Sequence, residues 1–275
     1  MTSTPRTTRA VIDASPRVIE LELDAFDAAI RAFRAGRISE SAFTETRLRQ
    51  GVYGQRQDGV HMIRVKLPLG IVDADQLRGL GRIAESFGHG IAHLTTRQDV
   101  QFHFARLEET PELLRELGRF DVTAREACGN VVRNVTADAS AGVSTTEVFD
   151  VTDHGISLAR ALLRNPVGQD LGRKFKVRLS GEPDTARNEA LFHDLGLVAQ
   201  VREGVRGFAV HAGGGLGAIP YAAQTLYEFV QEDEILSVAL ATIAVFGERG
   251  ERKRRAKARL KFLVADMGVD AFRSA

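Results

Sequence analysis

An α+β fold is predicted, and three observations predict it. Apolar residues alternate at strand spacing over Val60–Leu67 and Val100–Ala105, they change to helical spacing between residues 73 and 87, and Gly- or Pro-containing turns punctuate the changes. Upstream, residues 22–49 read as two polar amphipathic helices broken around Gly36. In Val60–Leu67, Ile63, Val65 and Leu67 share one face while Arg64 and Lys66 take the other, the pattern of a half-buried strand. After a turn at 68–70, Asp73 caps a helix carrying Leu77, Leu80, Ile83, Ala84 and Phe87 at helical spacing. Gly88 and Gly90 end it. A short strand over 91–94 turns through 95–99 into a strand on which Val100, Phe102 and Phe104 share a face. Pro111 opens a helix to about Gly118, and a last strand is expected near Val122.

The order strand, helix, strand, strand, helix, strand is the split βαβ, ferredoxin-like arrangement, a superfold that by itself implies no function. A second region of mixed α/β character starts near Thr123. It holds a helix around 155–164 and strands at 175–179, near 197–201 and at 207–211. Helices are expected at about 222–230, 234–246 and 251–267. The resulting division is a tail and helical arm over 1–49, a ferredoxin-like half-domain over 50–119 and a mixed α/β domain over 120–275.

Composition narrows the function classes. No apolar run approaches the roughly 20 residues of a membrane span, and the first 20 residues lack the basic-then-apolar order of a signal peptide. A disordered tail and a cytoplasmic location are the expectations. Cys128 is the single cysteine, which excludes a disulfide framework and any cysteine-rich metal site made by this chain alone. A net charge of +1 gives no global basic field for nucleic acid. The cations are overwhelmingly Arg, and Lys is confined to positions 66, 174, 176, 253, 257 and 261.

Five segments carry possible chemistry. In RKFKVRLSG (173–181), alternation puts Lys174, Lys176 and Arg178 on one strand face, roughly 6–7 Å apart in succession. An anion or water must screen such neighbours, and a solvated sheet face is the plainer reading of this segment alone. In ACGNVVRNVTA (127–137), a Gly-Asn turn beside Arg133 and Asn134 offers N–H groups and a guanidinium to an anion. In TTRQDVQFH (95–103), Arg97 and Gln101 suit a carboxylate, with His103 as a polar neighbour. The glycines of HAGGGLG (211–217) permit close approach of a flat or phosphorylated ligand but lack dinucleotide spacing. Eight cations crowd GERGERKRRAKARLKF (247–262), ordinarily a solvated helix face. No aromatic residues interleave there for base stacking, so nucleic acid is not expected as a partner.

Taken together, HMIRVKLP, TTRQDVQFH, ACGNVVRNVT, RKFKVRLSG, GGGLG and RAKARLKFLV stand in the order and approximate spacing of one family. Over about residues 48–273 the chain resembles the N-terminal half of the ferredoxin-dependent sirohaem/iron–sulfur nitrite and sulfite reductases. The resemblance implies a ferredoxin-like half-domain followed by the first part of a sirohaem-binding catalytic domain. It also implies a sirohaem that shares a cysteine sulfur with a 4Fe-4S cluster, and six-electron reduction of sulfite to sulfide or nitrite to ammonia. Ferredoxin or a similar donor would supply the electrons.

By motif, the resemblance assigns the oxyanion to Arg64, Arg133, Lys174 and Lys176. It assigns Arg97, Gln101, Asn134 and Arg173 to the macrocycle and its carboxylates, with His103 beside them. Gly213, Gly214 and Gly215 would run along the ring, and Arg259 and Lys261 would reach its edge. The K-x-K pair favours sulfite over nitrite. Tyr53 and Cys128 match positions that one branch of the family cross-links.

The departure from the family is the absence of the four cluster cysteines. The implied cluster ligands are expected outside this chain, in a missing C-terminal half or partner subunit, so the isolated chain is expected to be inactive. A truncated, a split and a degenerate enzyme are the three explanations. The alternatives to a reductase half are a precorrin-modifying oxygenase of cobalamin synthesis and a non-enzymatic anion- or tetrapyrrole-binding module.

Overall fold

A computed structural model describes residues 15–183 and 189–275. The expected tail over residues 1–14 lies outside the described residues. The chain divides into two compact units, residues 1–129 and 130–275.

The first unit opens with α1 (Pro16–Arg34) and α2 (Glu40–Arg49). Pro16 stands in the first turn of α1, where its missing N–H costs nothing, so this helix begins six residues before the expected start. Gly36, at φ +68°, reverses the chain into α2. The following elements are β1 (Val52–Gly54), β2 (Val60–Lys66), α3 (Ala74–Phe87), β3 (His93–Leu94), β4 (Asp99–Arg106) and α4 (Thr110–Arg119). The Asp73 carboxylate accepts the Gln76 N–H at 2.7 Å and the Gln76 amide oxygen accepts the Asp73 N–H at 3.1 Å, closing a capping box on α3. Leu80, Ile83 and Ala84 of α3 are buried as expected, whereas Leu77 is 62% exposed. The helical arm is not an appendage: Leu23, Phe26, Ile30 and Phe43 share one core with Ile63, Val65, Phe102, Leu113 and Leu117.

The sheet runs β1-β2-β4-β3, all antiparallel. The strand expected near Val122 is reduced to a single bridge, Thr123 to Lys66. The β2 edge is instead divided: the Arg64 N–H donates to Gly51 O at 2.9 Å and the Lys66 N–H to Thr123 O at 2.8 Å. Two short segments thus satisfy the edge that one strand would cover.

Phe104 does not share the face of Phe102. Phe102 stands opposite Ile63 and Ala105 opposite His61, so His103 and Phe104 together face one residue of β2. This β-bulge puts Phe104 at φ +65° and 43% exposed, with its N–H on the Gln55 side-chain oxygen at 2.7 Å.

His61, on β2, titrates within the fold. Burial, followed by the Arg47 and Arg34 charges, lowers it from 6.5 to about 4, and its buried Nδ1 has no hydrogen-bond partner. The folded state therefore prefers neutral imidazole. Its contribution to stability is fully present above about 6.5 and is lost as pH falls toward about 4, because the unfolded chain takes up the proton first. Urea midpoints measured at pH 7 and pH 4.5 should fall less in His61→Gln than in the parent chain; equal falls would count against this origin.

The second unit contains β5 (Val132–Thr136), α5 (Thr152–Leu162), β6 (Phe175–Ser180), β7 (Leu195–Arg202), β8 (Val205–Ala212), β9 (Gln224–Gln231), α6 (Ile235–Arg249), α7 (Leu260–Met267) and α8 (Val269–Ser274). Its sheet runs β5-β6-β7-β8-β9, parallel across the first three strands and antiparallel across the last three. Glu203 and Gly204, both at positive φ, make the two-residue hairpin between β7 and β8. Phe175, Val177 and Leu179 of β6 are fully buried, and Phe175 packs on Phe246 of α6 with ring centroids 6.1 Å apart.

Two helical expectations fail here. The stretch expected as a helix at 222–230 instead forms strand β9 from Gln224: the buried pair Leu226 and Val230, four apart, fits either period, and pairing with β8 decides for the strand. Residues 251–267 are not one helix, because α6 ends at Gly250 and α7 starts only at Leu260. Arg252 explains the break. Its guanidinium donates to Gly247 O at 2.9 Å and Asp170 O at 2.7 Å, drawing the chain back over the carbonyls that end α6.

Candidate anion-binding site

The predicted site residues fall in both units. In the first, β2 carries Arg64 and β4 carries Gln101 directly opposite it in register. The Arg64 Nε donates to the Asp99 carboxylate at 2.6 Å and its Nη2 to Thr95 Oγ1 at 3.4 Å. Thr95 Oγ1 also accepts the N–H groups of Arg97 and Asp99, each at 3.2 Å, which fixes the turn that Arg97 occupies. Asp99 is almost wholly buried. Burial pushes its carboxyl above the ordinary range, and Arg64, Arg97 and Lys66 pull against that push. His103 stands at the bulge with its ring 6.0 Å from that of His93; burial, then the His93 charge, lowers it.

Cys128 is fully buried. Burial lowers the nearby Arg47 guanidinium, and Cys128, Glu40 and Tyr53 oppose the shift. Tyr53 and Cys128 thus both lie within electrostatic reach of one guanidinium.

In the second unit, Arg133 and Asn134 belong to a strand, β5, that the turn chemistry of Gly129–Asn130 masked in the sequence. Val132 pairs with Phe175, so Arg133 stands at the same end of the β5–β6 pair as Lys174 and Lys176. Arg133, Arg173, Lys174 and Lys176 are all half-buried, and Asn134 is buried. The solvated-face reading of 173–181 fails at Arg178, which is 8% exposed and pairs with Asp138 at 2.8 Å and with Glu189. Lys174 and Lys176 lie toward the Arg133 end of the β5–β6 pair, and Arg178 is ion-paired inside the fold.

The remaining predicted residues close a second layer. Adding a Cβ at Gly213 would bring it to 2.8 Å from Val264, and at Gly214 to 2.2 Å from Leu191 O. These two glycines are thus required by the chain's own packing. A Cβ at Gly215 would meet Lys261 Cδ at 3.1 Å and the Arg259 guanidinium at 3.3 Å. Lys261 is buried and gives its ammonium to Ile219 O at 2.5 Å, Leu216 O at 3.3 Å and Gly215 O at 3.4 Å. Its charge holds the glycine loop. Arg259 grips Asp194, Nη2 lying 2.9 and 2.8 Å from the two carboxylate oxygens and Nε 3.2 Å from Oδ1.

Sequence reasoning missed the carboxylates. Asp99, Asp138 and Asp194 each hold one of the arginines, yet Asp99 opens β4, Asp138 follows β5 and Asp194 precedes β7, strand ends where an Asp ordinarily reads as a turn residue. Among the described residues, no group of three or more His, Cys, Asp or Glu side chains is arranged to hold a metal ion, and no helix is long and apolar enough to cross a membrane.

Residues 53–120 match the nitrite/sulfite reductase ferredoxin-like half domain. The sulfite reductase [ferredoxin] of Mycobacterium tuberculosis is 37% identical over 216 residues, covering 77% of this chain and 38% of the relative. The assimilatory ferredoxin-dependent nitrite reductase of Haloferax mediterranei is 31% identical over 241 residues, covering 81% of this chain and 41% of the relative. The chain thus spans about two fifths of these relatives' length. The solved structure of the Mycobacterium tuberculosis NirA protein superposes with a TM-score of 0.83 at 30% identity, over 96% of this chain and 52% of that one. Residues 128–275, more than half of the sequence, match the nitrite and sulphite reductase 4Fe-4S domain, and the chain belongs to that family.

Proposed function

We propose that this chain is the N-terminal half of a cytoplasmic, sirohaem-dependent assimilatory reductase that reduces sulfite to sulfide, with nitrite as the alternative substrate. The observation that carries the proposal is the gathering of Arg133, Lys174 and Lys176, all half-buried, at one end of two paired parallel strands. Fixed cations there suit an oxyanion held against an electron-rich ring. The relatives described above are named as reductases of sulfite or nitrite with ferredoxin as donor, which favours this reading over a cobalamin-pathway oxygenase or a passive binding module.

The donor set fits sirohaem. That macrocycle carries eight carboxylates, and Arg97, Gln101, Asn134 and Arg173 are guanidinium and amide groups of the kind that bind them. When bound, sirohaem supplies the iron at which the substrate is reduced. In the second unit Arg133 would clamp the anion and remain charged, while Lys174 and Lys176 would neutralise it and hand protons to departing oxygen; Arg64, in the first unit, is a guanidinium of the same kind. His103, at the β4 bulge, would be a polar neighbour of the ligand in the first unit. Gly213, Gly214 and Gly215 would offer the macrocycle a backbone surface, and Arg259 and Lys261 hold that loop in place.

The residues present do not fit a 4Fe-4S cluster. One buried thiol, Cys128, cannot replace the four that such a cluster takes. The cluster ligands belong, on this reading, to a C-terminal half or partner subunit.

Supplying sirohaem to the purified chain should produce a bound-macrocycle visible spectrum that weakens when Arg97 and Arg173 are replaced by Met. No uptake by the parent chain would reject the proposal. In the loaded full-length enzyme, Lys176→Asn should raise the nitrite-to-sulfite ratio of kcat/KM; an unchanged ratio would reject Lys176 as the residue that reads the substrate.

A further inference from the structure

One buried carboxylate ties together three segments that are far apart in the sequence. Asp194, fully buried, immediately precedes β7. Its Oδ2 accepts the Lys176 backbone N–H at 2.9 Å, and both oxygens accept the Arg259 guanidinium. Its own carbonyl accepts the Gly213 N–H at 3.0 Å, and the preceding carbonyl, His193 O, accepts the Gly214 N–H at 2.9 Å. The RKFK, GGG and RLK segments therefore all end on 193–194.

The place of the Lys176 bond in the sheet is informative. The β6–β7 ladder starts at Val177 opposite Leu195, so Lys176 lies one residue short of it. A side-chain carboxylate, and not a main-chain carbonyl of β7, receives the Lys176 N–H. Removal of that carboxylate leaves the N–H without the partner that sets the backbone where the lysine side chain departs. Arg259 supplies the counter-charge that such a buried carboxylate requires.

We propose that Asp194 is a positioning residue for Lys176, held and oriented by Arg259. It acts through the main chain of the lysine and touches no substrate. The inference rests on the reading of Lys176 as an anion ligand, and it gives Arg259 a role that needs no contact with the macrocycle.

A double-mutant cycle in the sirohaem-loaded full-length enzyme tests it, using Asp194→Asn, Lys176→Met and the pair. Asp194→Asn should lower kcat/KM for sulfite by about 10²-fold, the scale of an ångström-level misplacement, and by less than about 2-fold once Lys176 is already Met. A role confined to folding would give the same loss in both backgrounds and would overturn the proposal. In the chain without sirohaem, exchange of the Lys176 amide should accelerate in Asp194→Asn while the amides of Val198 and Val210 keep their rates; an unchanged Lys176 amide would also overturn it. If Asp194→Asn does not fold, Arg259→Lys keeps the counter-charge but loses the two-pronged grip, and the same non-additivity with Lys176→Met is expected. Lys176→Met with unaltered kcat/KM would remove the anion-ligand reading and this inference together, whereas an additive cycle with an impaired Lys176→Met removes the inference alone.

Discussion

Replacing Asp99 with Ala should destabilise the chain by about 3–5 kcal/mol, the cost of leaving one member of a buried ion pair without the other. Arg64 is 18% exposed and Asp99 4%, with Nε and Oδ2 2.6 Å apart. Burial raises the Asp99 carboxyl despite three neighbouring cations, so desolvation outweighs the attraction that opposes it. It follows that Asp99→Ala leaves a guanidinium with little water and a single weak contact at 3.4 Å, Thr95 Oγ1. Arg64→Met with Asp99→Ala should recover most of the loss, because both desolvation costs disappear with the pair. Urea denaturation of the two single variants and the double variant checks this. A double variant that loses as much as the sum of the singles would mean that the two side chains are not coupled.

Lys174→Arg should lower kcat for sulfite by about 10²–10⁴-fold in the loaded full-length enzyme, with KM changed by less than about 3-fold. The guanidinium keeps the positive charge that binds the anion, but it does not release a proton near neutral pH. Lys174 is half-buried immediately before β6, beside the β5 end that carries Arg133. Lys174→Met removes both functions and should raise KM as well as lower kcat. Equal kcat in Lys174→Arg and the parent enzyme would leave Lys174 as an electrostatic ligand only and give the proton to another group.

Much of the first unit was legible from local pattern. The alternation of Ile63 and Val65 and the Asp73 cap name β2 and the start of α3, because each depends on residues only a few positions apart. The same reasoning failed where a distant contact chose between two acceptable local states. Leu226 and Val230 satisfy helix and strand alike, and only the partner strand β8 resolves them. Phe104 continues an apolar alternation on paper, but the bulge opposite Met62 turns it outward. The chain at 251–259 has the composition of a helix start; an arginine reaching back to Gly247 O and across to Asp170 O breaks it.

The candidate site divides along the same line. Which residues carry charge, that lysine is scarce and sits as K-x-K, and that one cysteine cannot hold a cluster are properties of the sequence, since composition and spacing do not depend on the fold. The partners of those charges were decided only by tertiary structure. Three carboxylates, Asp99, Asp138 and Asp194, take Arg64, Arg178 and Arg259, and three carbonyls take Lys261. Arg133, Lys174 and Lys176 meanwhile share one end of the β5–β6 pair. A formal charge of one sign is written in the chain; which group holds it depends on which distant acceptor the fold brings within about 3 Å of it.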